Sequence, residues 1–254
     1  MHTKTYLIKI TTSLLLTGFV LAGAVPATEE KNANPYGIFR IFKNIDKKHK
    51  FVGSYFYRRD NDRNITGLEL SLRRKVSKFV SYGIEADVRT GMRHDDDWVW
   101  KDAKWSWEDD SEPELGTSLF LKFKRGLYFL PGTNWVGSIN LKTHNNWTKT
   151  LMTLKPEASL TYIHFANGKP IYNIYTKVQY YIPLNFGQDD IYQKWLYLGT
   201  MLHWKDNLKP FLFVAYKEEN WTQSKDFEER LPNEEYSSKS KLSYIGIGLN
   251  YYLD

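Results

Sequence analysis

The sequence predicts an all-β fold: a transmembrane antiparallel β-barrel of 10–12 strands behind an N-terminal signal peptide. Three observations predict it. Ten stretches alternate apolar and polar residues over roughly ten positions each, separated by clusters of Asn, Asp, Gly and Pro. The polar face of these stretches is rich in Arg, Lys, Glu and Asp, as in Leu68-Glu69-Leu70-Ser71-Leu72-Arg73. The first 27 residues have the layout of a secretory signal. Successive side chains of a strand point to opposite faces, so each stretch has one greasy and one charged side. Long strands of this kind behind a signal suit a barrel that is apolar outside and polar within.

Residues 1–27 open with Lys4 and Lys9, continue through an apolar stretch from Ile10 to Leu21, and end in Ala22-Gly23-Ala24-Val25-Pro26-Ala27. The small residues suit cleavage near Ala27, and the stretch is shorter than the ~20 residues of a spanning helix. Cleavage removes Lys4 and Lys9 and takes the formal charge from +6 to +4. Residues 28–49 form either an N-terminal periplasmic segment or a first strand, because Tyr36 to Phe42 is itself strand-like. Residues 50–254 form the barrel.

Its strands are expected at 50–58, 65–74, 79–90, 114–124, 134–143, 150–163, 171–181, 191–204, 210–218 and 240–253. The links between them fall into two sets. Those at 59–64, 91–113, 144–149, 182–190 and 219–239 include the two longest. Those at 75–78, 125–133, 164–170 and 205–209 carry tight-turn signals such as Asn167-Gly168. Outer-membrane barrels keep short turns on the periplasmic side, which places the first set outside the cell. Bacterial single-chain barrels favour even strand numbers, so ten and twelve both stay open. The last strand ends Tyr251-Tyr252-Leu253-Asp254, without the terminal aromatic residue common in such barrels. No later segment is a long uncharged apolar run, which excludes a helical membrane protein. The chain has no cysteine, and 16% of it is aromatic, enough for girdles of Tyr and Trp at two membrane interfaces.

Parity then assigns the lumen. Basic pore-lining candidates are Arg58, Arg73, Arg89, Lys122, Lys124, Lys142, Lys155 and Lys177; acidic ones are Glu69, Glu85, Asp87 and Glu157. Such an interior is positive. It reads either as a passage that attracts anions or as a packed interior in which neighbouring charges pair and close the lumen. In the longest loop, Trp98, Trp100, Trp105 and Trp107 either stack on sugar rings at the mouth or, as favoured, fold the loop onto the rim. The acidic runs of that loop lack the ligand spacing of a calcium site. No metal, cofactor or nucleic acid is expected.

No nucleophile elbow, phosphate loop or zinc signature is present. Outer-membrane phospholipase A is a barrel of similar size with His and Ser two residues apart on one strand. The nearest stretch here is Thr143-His144-Asn145-Asn146-Trp147, which puts Asn146 where the serine would stand. His144 and His164 read as hydrogen-bonded interfacial residues, and the chain is not expected to be an enzyme. In length, in alternation along the chain, in its basic lumen set and in texture such as Lys155-Pro156-Glu157-Ala158-Ser159-Leu160 and Lys209-Pro210-Phe211-Leu212-Phe213-Val214, the chain resembles the small monomeric oligogalacturonate-specific porins of Gram-negative bacteria. That resemblance implies twelve strands and passage of acidic oligosaccharides along arginine and lysine tracks. The expected function is therefore an outer-membrane channel for small anionic solutes. Its expected partners are those solutes, outer-membrane lipid and lipopolysaccharide, and the chain is expected to act as a monomer. The alternatives are a closed structural or binding barrel and a membrane-embedded lipid-modifying enzyme.

Overall fold

Alternation of this kind needs each strand paired on both sides, and the computed structural model meets that need by closing one sheet on itself. It describes residues 33–60, 63–92, 98–101, 104–107, 113–128, 130, 134–185, 191–222 and 237–253. The signal peptide 1–27, its cleavage near Ala27 and the acidic runs of the longest loop lie outside the described residues. The strands are β1 (Asn34–Asn44), β2 (His49–Asp60), β3 (Arg63–Lys75), β4 (Val80–Thr90), β5 (Trp98–Lys101), β6 (Lys104–Trp107), β7 (Glu114–Gly126), β8 (Trp135–Asn146), β9 (Leu151–Ala166), β10 (Lys169–Pro183), β11 (Gln193–Leu202), β12 (Leu208–Thr222) and β13 (Ser237–Leu253). All but β5 and β6 belong to one closed barrel, in chain order, with β13 returning to β1. None of the described residues forms a helix long and apolar enough to cross a membrane, and a barrel would cross with strands.

The barrel has eleven strands, between the two even numbers the sequence left open. The ten alternating stretches become β2–β4 and β7–β13, one strand each. The eleventh is β1, which contains Tyr36 to Phe42. Each of these strands is antiparallel to its neighbours except at the seam, where β1 runs parallel to β13 with Tyr36 opposite Gly246 and Phe42 opposite Tyr252. An odd number of up-and-down strands leaves the first and last pointing the same way, so a parallel pair is the only closure open to them. On its other side β1 pairs antiparallel with β2, Arg40 opposite Ser54.

The links alternate between two ends. One end carries 45–48, 76–79, 127–134, 167–168 and 203–207, and we call it the turn end; the other, the loop end, carries 61–62, 91–113, 147–150, 184–192 and 223–236. Local chemistry shapes the turns. At 45–48, Asp46 Oδ1 accepts from the amides of Lys48 (2.6 Å) and His49 (2.7 Å), and Oδ2 lies 2.7 Å from His49 Nδ1. These hydrogen bonds hold the Asp46 carboxyl down at about 2. At 76–79, Ser77 Oγ accepts from Phe79 and Val80, both at 3.1 Å. At the two-residue turn, Asn167 (φ 51°) and Gly168 (φ 74°) both take the left-handed conformation of a type I′ hairpin.

The loop between β4 and β7 holds a hairpin of its own, pairing Trp98 with Trp107 and Trp100 with Trp105 along the backbone. β12 and β13 extend past their expected ends, to Thr222 and back to Ser237, because Asn220, Trp221 and Thr222 continue the ladder with Lys239, Ser238 and Ser237.

The burial pattern is inverted relative to a soluble barrel. Ile247 is 65% exposed on the outside, whereas Lys217 is 3% exposed on the inside. Leu68, Leu70, Leu72, Ile84, Leu119, Ile139, Leu212 and Ile245 also face outward and exposed. Glu85, Asp87 and Lys155 are buried within. A contiguous apolar exterior of this extent is what a protein shows where something apolar covers it.

Candidate functional site

The site is the lumen, and its two sides differ. On β10–β13 and β1 many inward positions are aromatic or aliphatic: Trp195, Tyr197, Phe211, Phe213, Leu242 and Tyr244 form a buried cluster, with Tyr36, Tyr175 and Tyr181 against it. Trp195 stacks on Tyr197 at 5.5 Å and on Tyr244 at 5.3 Å. Glycine makes this packing fit. A Cβ on Gly246 would lie 2.0 Å from Phe213, and one on Gly248 would lie 2.1 Å from Phe211. The inward positions of β2–β4 and β7–β9 are mostly charged or polar.

Between the two sides lies a cavity of about 370 Å³, within the range of small-molecule sites. Eight cations face it, Arg40, Arg58, Arg73, Arg89, Lys122, Lys142, Lys155 and Lys177, against three carboxylates, Glu69, Glu85 and Glu157. Each carboxylate is matched to one cation: Glu69 to Arg89 at 3.3 Å, Glu157 to Lys177 at 3.4 Å, and Glu85 to Lys142. Arg40, Arg73, Lys122 and Lys155 form no ion pair among the described residues. Several cations lean on rings instead: Arg40 on Phe211 (5.4 Å), Arg73 on Phe120 (5.5 Å), Lys155 on Tyr181 (4.9 Å) and Lys177 on Tyr197 (4.0 Å).

Toward the loop end the lumen narrows. A smaller cavity of about 70 Å³ is lined by Glu114, His144, Asn146, Tyr192 and Gln193, and it shares Arg89, Lys155 and Tyr181 with the larger one. Those three residues form the constriction between them. Beside it stands a buried charged knot. Asp60 accepts from Arg58 Nε (3.0 Å), Lys217 Nζ (2.9 Å) and Tyr244 Oη (2.8 Å), and Lys217 also pairs with Glu219. Asp87 takes Arg89 Nε at 2.8 Å.

The residues singled out from sequence occupy the lumen unequally. Of the basic set, all but Lys124 line the main cavity; Lys124 is exposed toward the turn end of β7. Of the acidic set, Asp87 lines the smaller cavity and the other three the larger. Trp98, Trp100, Trp105 and Trp107 are placed only by their backbone pairing. Sequence reasoning missed Arg40, Asp60, Lys217 and Glu219. Arg40 lies in β1, whose status was open. Asp60 and Glu219 lie just beyond the strand ends drawn at 58 and 218, where two more steps of parity would have found them. The aromatic side went unread because both faces of β11 and β12 are apolar.

One of the two histidines is elsewhere than expected. His144 is buried in the lumen rather than interfacial, since it shares the inward parity of Lys142 and Asn146. Its Nδ1 lies 3.1 Å from Ser118 Oγ and 3.4 Å from Asp87 Oδ1. A hydrolytic relay needs the carboxylate on one ring nitrogen and the hydroxyl on the other; here both crowd the same nitrogen. His164 stacks on Tyr172 at 4.7 Å beside the Asn167-Gly168 turn. No protein-family model matches the chain, and no curated protein matches it.

Proposed function

We propose that this chain is an outer-membrane barrel of a Gram-negative bacterium, secreted by its N-terminal signal, that admits small anionic solutes through a cation-lined lumen. The observation that carries the reading is the set Arg40, Arg73, Lys122 and Lys155, inward cations with no carboxylate partner among the described residues. A cation held in a narrow low-dielectric passage lowers the barrier for an anion and raises it for a cation. The exposed apolar exterior supports lipid and lipopolysaccharide as its surroundings. Short links at one end support the turn end as periplasmic and the loop end as external. The half-buried Tyr36, Tyr175 and Tyr181 of the aromatic side would stack on sugar rings, which suits acidic oligosaccharides as the solutes. A monomer suffices, because the lumen is complete within one chain.

Planar-bilayer reversal potentials under a salt gradient test this reading. The unmodified protein should prefer anions, and Arg73→Gln, Arg89→Gln and Lys155→Gln together should shift it toward cations while the barrel stays folded. Cation selectivity in the unmodified protein would overturn the reading.

One observation favours a second reading, a binding barrel closed at the constriction: Lys155 is 4% exposed where it meets Arg89 and Tyr181. That barrel would bind anions without conducting. An enzyme reading would require lipid hydrolysis that disappears on changing His144.

A further inference from the structure

The turn end of the lumen carries a second concentration of charge, joined to the cavity through Arg73. Strand parity turns Lys50 on β2, Arg73 on β3, Lys124 on β7 and Lys209 on β12 inward at this end, as it does Phe42 on β1 and Tyr252 on β13. Phe42 and Tyr252 stack across the parallel seam with centroids 4.8 Å apart and planes 13° from parallel. Lys50 Nζ stands 5.8 Å from the first ring and 5.9 Å from the second, and Lys209 Nζ stands 4.5 Å from Tyr252. Lys50 lies directly opposite Arg73 across β2 and β3, and it shares the Tyr252 ring with Lys209. None of the four forms an ion pair among the described residues.

Like charges brought together with no carboxylate paired to them among the described residues repel one another. The ring faces beneath Lys50 and Lys209 offset part of that cost but neutralise no charge. The missing component is a counter-ion with several negative oxygens, because several cations converge on one mouth. The inward parity of the strands turns the cluster toward the lumen and away from the apolar exterior, so the counter-ion is a soluble one and not a lipid headgroup.

We propose that the turn-end mouth is a binding site for a small multivalent anion of the phosphate type, held by Lys50, Arg73, Lys124 and Lys209 over the Phe42–Tyr252 stack. The site deepens the anion reading of the lumen and rests on it for the sign of the solute. It adds a preference by valence and a sidedness: a multivalent anion arriving from the turn end meets Lys50, Lys124 and Lys209 before it reaches Arg73, which also lines the cavity.

Calorimetric titration of the full chain in detergent with pyrophosphate and with acetate tests the site without requiring conduction. Pyrophosphate should bind at least tenfold more tightly than acetate. Lys50→Gln with Lys209→Gln should weaken pyrophosphate by tenfold or more, while Lys50→Arg with Lys209→Arg should retain it. Heat-modifiable migration on a gel checks that each variant is folded. Lys194→Gln, on the outward face of β11 toward the loop end, should leave pyrophosphate binding unchanged. Undiminished binding in the folded Gln variant, or no pyrophosphate preference in the unmodified protein, would overturn the proposal. If the unmodified protein conducts anions yet ignores pyrophosphate, this site falls and the passage stands. If it binds pyrophosphate but never conducts, the passage falls and the site stands.

Discussion

Asp60 is where single-residue chemistry is most exposed to test. One buried carboxylate receives a guanidinium, an ammonium and a phenol, so Asp60→Ala strands Arg58 and leaves Lys217 with Glu219 alone. Breaking a buried pair from one side costs about 3–5 kcal/mol, and a denaturant midpoint measured in lipid vesicles should fall accordingly. Removing Asp60 and Lys217 together would leave Arg58 and Glu219 without their partners, so only the fourfold replacement Arg58→Met, Asp60→Leu, Lys217→Met and Glu219→Leu should cost much less. Glycine gives the complementary case. Gly246→Ala would set a methyl 2.0 Å from the Phe213 ring, and displacing that ring should cost about 1–3 kcal/mol as overpacking. The same alanine at Gly168, where the left-handed backbone (φ 74°) and not crowding is the obstacle, should cost about 1 kcal/mol. Parity made the charged lumen residues legible one by one. It could not show which would pair, since that depends on neighbours brought together by closure.

Among the elements, β1 decides the count. Its inward residues Tyr36, Ile38 and Phe42 are as apolar as its outward Phe39 and Ile41, so alternation, the signal that revealed the other ten strands, is blurred there. The same blurring hid the aromatic side of β11 and β12. Where one face was charged, as on β3 and β4, both the strand and its orientation could be read directly. The parallel seam can be tested because the chain has no cysteine of its own. Phe39 lies opposite Leu249 across β1 and β13, and neighbouring strands stand about 4.8 Å apart, within reach of a disulfide. Phe39→Cys with Leu249→Cys should therefore cross-link rapidly under mild oxidation, seen as a shift on a non-reducing gel. Phe39→Cys with Ile245→Cys, four residues out of register, should not. The reverse result would mean a different closure.

For the molecule as a whole, an apolar exterior around a charged lumen makes two demands. Placed in an outer membrane, the chain should migrate differently on a gel before and after boiling. Protease applied to intact cells should cut within 91–113 and 219–239 while sparing 75–78 and 205–209. Soluble protein in the periplasm, with no heat-dependent migration, would remove the membrane reading altogether. The lumen charge makes the second demand. Anion preference should fade as salt rises, because the Debye length shrinks to ~3 Å at 1 M. A preference that persists unchanged in molar salt would place its origin in pore width instead of charge.

The parallel seam also bears on how the gene could be rearranged. In an even-stranded barrel the first and last strands are antiparallel neighbours, and a turn of a few residues can join the old ends when new ones are opened elsewhere. Here Asn34 lies opposite Tyr244, and Leu253 lies nine residues further along the same strand. At about 3.3 Å per residue that separation is roughly 30 Å along the wall. A circular permutant joined by a three-residue linker cannot close, whereas one with a linker of about a dozen residues can. Reporter tags fused just before β1 and just after β13 would stand at opposite ends of the barrel.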